Sequence, residues 1–286
     1  MIDIFGHAFP AGRIADGAPV VLRRRGTDDL HRTQMTVLRR WPDNSVMTAV
    51  FAAELPALTA GQTASFDLVA GVAHPDPGPN LSLSTLLAGR SAVVRTWAPG
   101  DTTTPLWTFD VVQAALASAD RWQEGPLAVE TRVETPVPPS AVQNTAGQTG
   151  QIASVRLIVD VLATKDGFLE LDVCFSNDRV LHAQGGIARF GYTIEIDGQI
   201  VYDQRPASGA ARDLLQYSQW IRRRGRHLNG TLLTGWDNND RPHFRPDFDV
   251  LVAAGVQLNL DRSMPITGWD GWPVSVLNTA QSGNRV

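Results

Sequence analysis

The sequence predicts a mainly β protein: an antiparallel β-barrel followed by a β-sandwich domain, with a short helical and extended C-terminal segment. Three observations predict it. Apolar and polar residues alternate over many short runs, the pattern of half-buried strands. Glycine (25) and proline (18) punctuate those runs along all 286 residues, as sheets joined by turns require. Asp197-Gly198 stands between two alternating runs, and an Asp-Gly pair suits a hairpin because both turn positions need positive φ.

The elements follow in order. Met1 to His7 lacks a basic n-region and a long apolar h-region, so it does not read as a signal peptide. Ala18 to Leu22 reads as a strand. Gln34 to Trp41 and Ser45 to Leu55 read as a hairpin across Pro42-Asp43-Asn44. In its second arm Val46, Thr48 and Val50 share one face, and Met47, Ala49 and Phe51 the other. Leu55 to Gly61 turns the chain, and Ala64, Phe66 and Leu68 alternate on the next strand. His74-Pro75-Asp76-Pro77-Gly78-Pro79 holds neither ladder nor helix, which sets residues 1–79 as the barrel-like domain, or extends it to about residue 135 if the later loop is the boundary.

Residues 80–205 read as the sandwich. Ala92 to Trp97 and Leu106 to Val112 read as strands, and Leu127, Val129, Thr131 and Val133 alternate on another. Thr135 to Gly150 is rich in Pro, Ser, Thr, Gln and Gly and reads as a long loop or linker. Val155, Leu157, Val159 and Val161 face one way, as do Leu169, Leu171, Val173 and Phe175 after Lys165-Asp166-Gly167. Phe190, Tyr192, Ile194 and Ile196 lead into Asp197-Gly198, and Ile200 to Tyr202 returns. Residues 206–286 form the C-terminal segment. Ala211 to Arg224 reads as helical, with Leu214, Leu215, Ser218 and Ile221 on one side. Asp247 suits the cap of a short helix ending at Gly255. Pro265 to Val286 reads as an extended arm or a disordered end.

Composition narrows the function classes. The hydrophobic fraction of 43% and the charged fraction of 19% fit a packed core and do not fit a disordered chain. A net charge of −4 argues against a chain whose main work is gripping nucleic acid. Of 25 basic residues only Lys165 is a lysine, as a GC-rich genome produces. The single cysteine, Cys174, cannot form an internal disulfide. No run approaches the roughly 20 apolar residues that cross a bilayer as a helix.

The sequence holds no phosphate loop, no Gly-x-Gly-x-x-Gly, no Gly-x-Ser-x-Gly, no His-Glu-x-x-His and no Cys-x-x-Cys. Asp237-Asn238-Asn239-Asp240 fails as a calcium loop, because its fifth and twelfth positions are Arg241 and Phe248. The histidines lack metal-ligand spacing. No catalytic residue, metal or cofactor is assigned. Arg222-Arg223-Arg224-Gly225-Arg226 is the dense positive cluster, with Trp220 beside it and Trp236 shortly after. Trp220, Arg222, Arg224 and Trp236 are therefore the candidate ligand-binding residues, an aromatic and guanidinium surface for a sugar acid, a phosphate or an acidic patch. The plainer alternative is a solvated helix end, where arginine suits the C-terminal dipole. Trp41-Pro42-Asp43-Asn44-Ser45-Val46 reads as a structural corner, with proline fixing φ and Asp and Asn side chains bonding back to the backbone.

That corner, with its flanking strands and Leu55-Pro56-Ala57-Leu58-Thr59-Ala60-Gly61, resembles the N-terminal β-barrel domain of exo-rhamnogalacturonan-lyase-like proteins. The same module is similar to domains of phage and prophage tail-associated proteins. The resemblance extends through Phe168 to Tyr202, with its Asp-Gly-x-Ile-Val-Tyr hairpin, to Trp220 and to Arg245-Pro246-Asp247-Phe248-Asp249. In that family a helical toroid follows the β domains and is expected to build much of the cleft, whereas this sequence stops at Val286. Asn44 stands where glycine is expected, and asparagine tolerates the left-handed conformation.

The expectation is a virion structural protein of a tailed phage, at the tail tip, baseplate or fibre. It would be made in the host cytoplasm and partnered by other virion proteins and by itself as a homo-oligomer. A host-surface polysaccharide is the candidate ligand. The alternative is a carbohydrate-active lyase or hydrolase, or its non-catalytic glycan-binding module.

Overall fold

The computed structural model describes residues 1–59, 62–179, 183–205, 214–215, 220–228, 231–233 and 248–255. The chain is mainly β, with antiparallel ladders throughout.

The first seventy residues supply β1 (Ile2–Ala8), β2 (Val20–Arg24), β3 (Leu30–His31), β4 (Thr33–Arg40), β5 (Val46–Glu54) and β6 (Phe66–Ala70). They form two three-stranded sheets, β1-β5-β4 and β3-β2-β6. Phe5, Met35, Phe51, Val20 and Leu68 fill the space between them. The expected barrel is not closed among the described residues. Where β2 approaches β4, the Leu22 N–H is taken by the Thr33 hydroxyl at 2.9 Å, so a side chain, rather than a backbone ladder, joins the sheets. The β5 strand also departs from simple alternation: Phe51, Ala52 and Ala53 are all fully buried. Both faces are covered there, Phe51 and Ala53 by the small sandwich and Ala52 by the next unit.

The Trp-Pro-Asp corner is the structural device expected of it. Asn44 takes φ 65, and its N–H reaches the Trp41 carbonyl at 2.9 Å. The Asp43 carboxylate accepts from the Ser45 N–H at 3.0 Å and from its hydroxyl at 2.6 Å. Ser45 Oγ accepts from Gly12 N at 2.8 Å, and Trp41 Nε1 donates to the Phe9 carbonyl at 2.8 Å. The hairpin tip thus ties down the loop between β1 and β2.

The larger unit begins with α1 (Leu83–Leu86), β7 (Ala92–Trp97), β8 (Pro105–Asp110), α2 (Val111–Ala117), β9 (Arg121–Glu124) and β10 (Ala128–Pro136). It continues through β11 (Arg156–Thr164), β12 (Phe168–Ser176), β13 (Ala188–Arg189), β14 (Gly191–Ile196), β15 (Gln199–Asp203), β16 (Leu214–Leu215), β17 (Trp220–Leu228) and β18 (Thr231–Leu233), and α3 (Phe248–Ala253) closes the described chain. A six-stranded sheet, β18-β17-β12-β11-β10-β9, and a four-stranded sheet, β15-β14-β7-β8, share one core. Val159, Val161, Leu171 and Val173 enter it from the first sheet, and Ala92, Val94, Ile194 and Ile196 from the second. Phe175 meets Phe190 and Tyr192 with ring centroids 5.0 Å apart in each case. This is a sandwich-like pair of layers.

Three expectations change. The strand expected over 106–112 ends at Asp110, whose carboxylate accepts from Gln113 N at 2.9 Å and caps α2. The 135–150 stretch is not a loose linker: Val137, Ala141 and Val142 are buried, and Gln143 exchanges backbone hydrogen bonds with Arg189 at 3.0 and 2.7 Å. The helix expected over 211–224 is not formed at its C-terminal part, because Trp220–Leu228 is a strand, β17. It pairs residue for residue with β12, supplying partners for backbone groups that an edge strand would leave open. The short helix ending at Gly255 is present as α3, with Gly255 at φ 71. The expected cap, Asp247, lies outside the described residues, as do the calcium-like loop at 237–240 and the arm after 265.

Candidate functional site

The outer face of the six-stranded sheet carries the chemistry. Side chains alternate across a strand, so when Val129, Thr131 and Val133 point inward, Glu130, Arg132 and Glu134 point outward. The register extends this into rows. Arg132 lies opposite Asp160, Asp160 opposite Asp172, and Asp172 opposite Arg224. In the neighbouring row Glu130 lies opposite Leu162, then Glu170, then Arg226, and on the other side Glu134 lies opposite Ile158, Cys174 and Arg222.

Arg132 is held as a fork by Asp160, Nε at 2.7 Å and Nη2 at 2.9 Å. Its guanidinium carbon sits 4.0 Å from the centroid of the Trp122 ring. Glu130 lies largely out of solvent and accepts from Gln123 Nε2 at 2.8 Å. Burial pushes its carboxyl above the ordinary value of 4.5. The neighbouring Asp160 and Glu170 charges add to that push, and the Gln123 hydrogen bond and Arg132 oppose it. At the far end of the row Arg156 pairs with both Glu134 and Asp178. The Arg156 hydrogen bonds hold the Asp178 carboxyl below its usual value of 3.8. Among the described residues no group of three or more His, Cys, Asp or Glu side chains could hold a metal ion.

The sequence-predicted residues fall beside this face. Trp220, Arg222 and Arg224 occupy alternate positions of β17, in register with Ser176, Cys174 and Asp172. They belong to a strand and not to a helix end, and acidic residues of β12 lie in register beside two of the cluster's arginines: Asp172 with Arg224 and Glu170 with Arg226. Trp236 lies outside the described residues. Sequence reasoning missed Trp122, Gln123, Glu130, Arg132 and Asp160. The polar half of the alternation around Val129 and Val133 marks Glu130 and Arg132. Trp122 has no such signal, since a register shift between β9 and β10 sets its direction. No family model matches the chain, and no match is found among curated proteins or solved structures.

Proposed function

We propose that the chain is a virion structural protein of a tailed phage, a component of the tail tip, baseplate or fibre. It serves there as a rigid β scaffold that meets a host-surface polysaccharide. Its partners are other virion proteins and further copies of itself. The observation that supports this reading is the seam between the two β units. Ile2, Ala52, Leu127 and Ala128 form one buried cluster across it, and Gln34 hydrogen-bonds the backbone of Leu127 and Ala128. A seam that is both apolar and hydrogen-bonded holds two units at a fixed angle, which a load-transmitting particle component needs. Mass spectrometry of purified particles, with light scattering of the isolated chain, tests it. A strictly monomeric chain absent from every particle would sink the reading.

A second reading, a carbohydrate-active enzyme, draws on Glu130. A carboxyl pushed toward its neutral form beside an ion-paired carboxylate, Asp160, resembles the division between acid and charged partner in glycoside cleavage. Incubation with polysaccharides, following reducing ends and unsaturated products, separates the two. Product formation that Glu130→Gln abolishes favours the enzyme.

A further inference from the structure

The β9–β10 ladder slips at one place. Glu130 pairs with Gln123, but Thr131 pairs with Arg121, leaving Trp122 as the extra residue of a β-bulge. Bulges re-aim a side chain out of the regular alternation. Here the indole is brought over Arg132, on the outer face, with the guanidinium against one side of the ring. Arg132 is itself fixed by the two-point contact to Asp160. Trp122 is nonetheless 40% exposed. With one ring face backed by an anchored guanidinium, that exposure belongs to the opposite face and the ring edge. The result is a flat, supported aromatic surface turned to solvent beside the Arg132–Asp160 pair, with Glu130 two residues before Arg132 on the same face of β10.

We infer that Trp122 is the platform of a saccharide-binding site that takes neutral hexose or N-acetylhexosamine units. A pyranose ring offers a face of C–H groups, which suits the negative face of an indole. Its hydroxyls are donors, and the Asp160 carboxylate keeps acceptor lone pairs beyond its two hydrogen bonds from Arg132. The charge balance selects against sugar acids. Arg132, the cation stacked on the ring, is already engaged by Asp160, Arg121 is turned to the Ser118 carbonyl and the Thr131 hydroxyl, and Glu130 adds a carboxyl on the same face. The arginines of β17 stand three strands from β10, roughly 14 Å at ordinary strand spacing. The inference rests on the glycan partner in the proposed function but not on membership of a virion.

The test presents the full chain to laminarin, galactan and chitohexaose, with polygalacturonate and alginate beside them. At least one neutral glycan binds, and Trp122→Ala weakens that binding about ten-fold or more, while Leu116→Ala, at another exposed apolar residue, leaves it unchanged. Oxidative footprinting of the unsubstituted chain, which needs no variant to fold, shows Trp122 protected by the bound glycan. The inference is overturned if none of the neutral glycans binds, if only the uronates bind, or if binding leaves the Trp122 footprint unchanged. Particle composition, measured separately, carries the virion reading whichever way the glycan result falls.

Discussion

The side-chain amide of Gln34 is hydrogen-bonded to the backbone of Ala128 in both directions. Its Nε2 donates to the Ala128 carbonyl at 2.9 Å, and its Oε1 accepts the Ala128 N–H at 3.0 Å. The same oxygen also accepts the Leu127 N–H at 3.0 Å. Gln34 is 4% exposed, so an amide from β4 of the small unit extends the ladder of the large one. Behind it Gly125 leaves the necessary room: a Cβ there would lie 2.5 Å from Gln34 Cδ.

Gln34→Ala therefore leaves two buried N–H groups and a carbonyl without partners. Each unsatisfied group costs about 1–3 kcal/mol, so a loss of about 3 kcal/mol or more is expected in urea unfolding. Gly125→Ala displaces the same amide by collision. In a double-mutant cycle the second change costs much less once Gln34 is gone, because both act through one contact. Fully additive losses would show that Gly125 matters for another reason.

Asp166 makes a second tie across the seam. Its Oδ2 accepts the Ile2 N–H at 2.8 Å, from the 165–167 turn to the start of β1. Ile2 is buried, so Asp166→Ala strands that N–H and is expected to cost about 1–3 kcal/mol. Hydrogen exchange at Ile2 should quicken in the variant while Phe51, at the centre of the small unit, keeps its protection.

The corner carries a pH signature. The Ser45 hydroxyl and N–H hold the Asp43 carboxyl below its ordinary value of 3.8. A carboxyl lowered in the native state adds stability above the unfolded value, and that stability is lost as pH falls through the native value. The melting-temperature gap between the wild type and Asp43→Asn should thus be constant from about pH 7 to about pH 5 and shrink towards about pH 2. A gap that does not change with pH would mean that the aspartate charge plays no part.

How much of this could be read from sequence depends on the range of the interactions. The β11–β12 hairpin and the Asp197-Gly198 hairpin were legible because alternation and turn residues are local. The corner was legible for the same reason. Trp220–Leu228 was not, because its partner strand lies about fifty residues earlier and Ile221 fits a helical stripe as well as a strand. Val137, Ala141 and Val142 were hidden by the Pro- and Ser-rich composition around them. The Arg cluster was visible as charge, but the acidic residues in register with it, Asp172 and Glu170, appear only once the strands are paired. Trp122 depends on a one-residue slip in a ladder, which no pattern in the sequence announces.

Glu130 gives the opposite pH dependence to Asp43. Its carboxyl is raised above 4.5, mainly by burial. A raised carboxyl stabilises the native state below the unfolded value, and that contribution is lost as pH rises through the native value. Ionising Glu130 is therefore harder in the fold than in the unfolded chain, and Glu130→Gln removes that cost. The replacement keeps an acceptor for Gln123 Nε2 and brings an amide donor to a pair whose Gln123 Oε1 is buried with no partner among the described residues. Both effects act in the same direction. Glu130→Gln should be more stable than the wild type at about pH 7, and the advantage should fade towards about pH 4, where the glutamate is itself protonated. Parallel urea titrations at the two pH values measure it. A variant less stable at neutral pH would mean that Arg132 and the Gln123 N–H outweigh burial, and that the native state depends on the Glu130 charge.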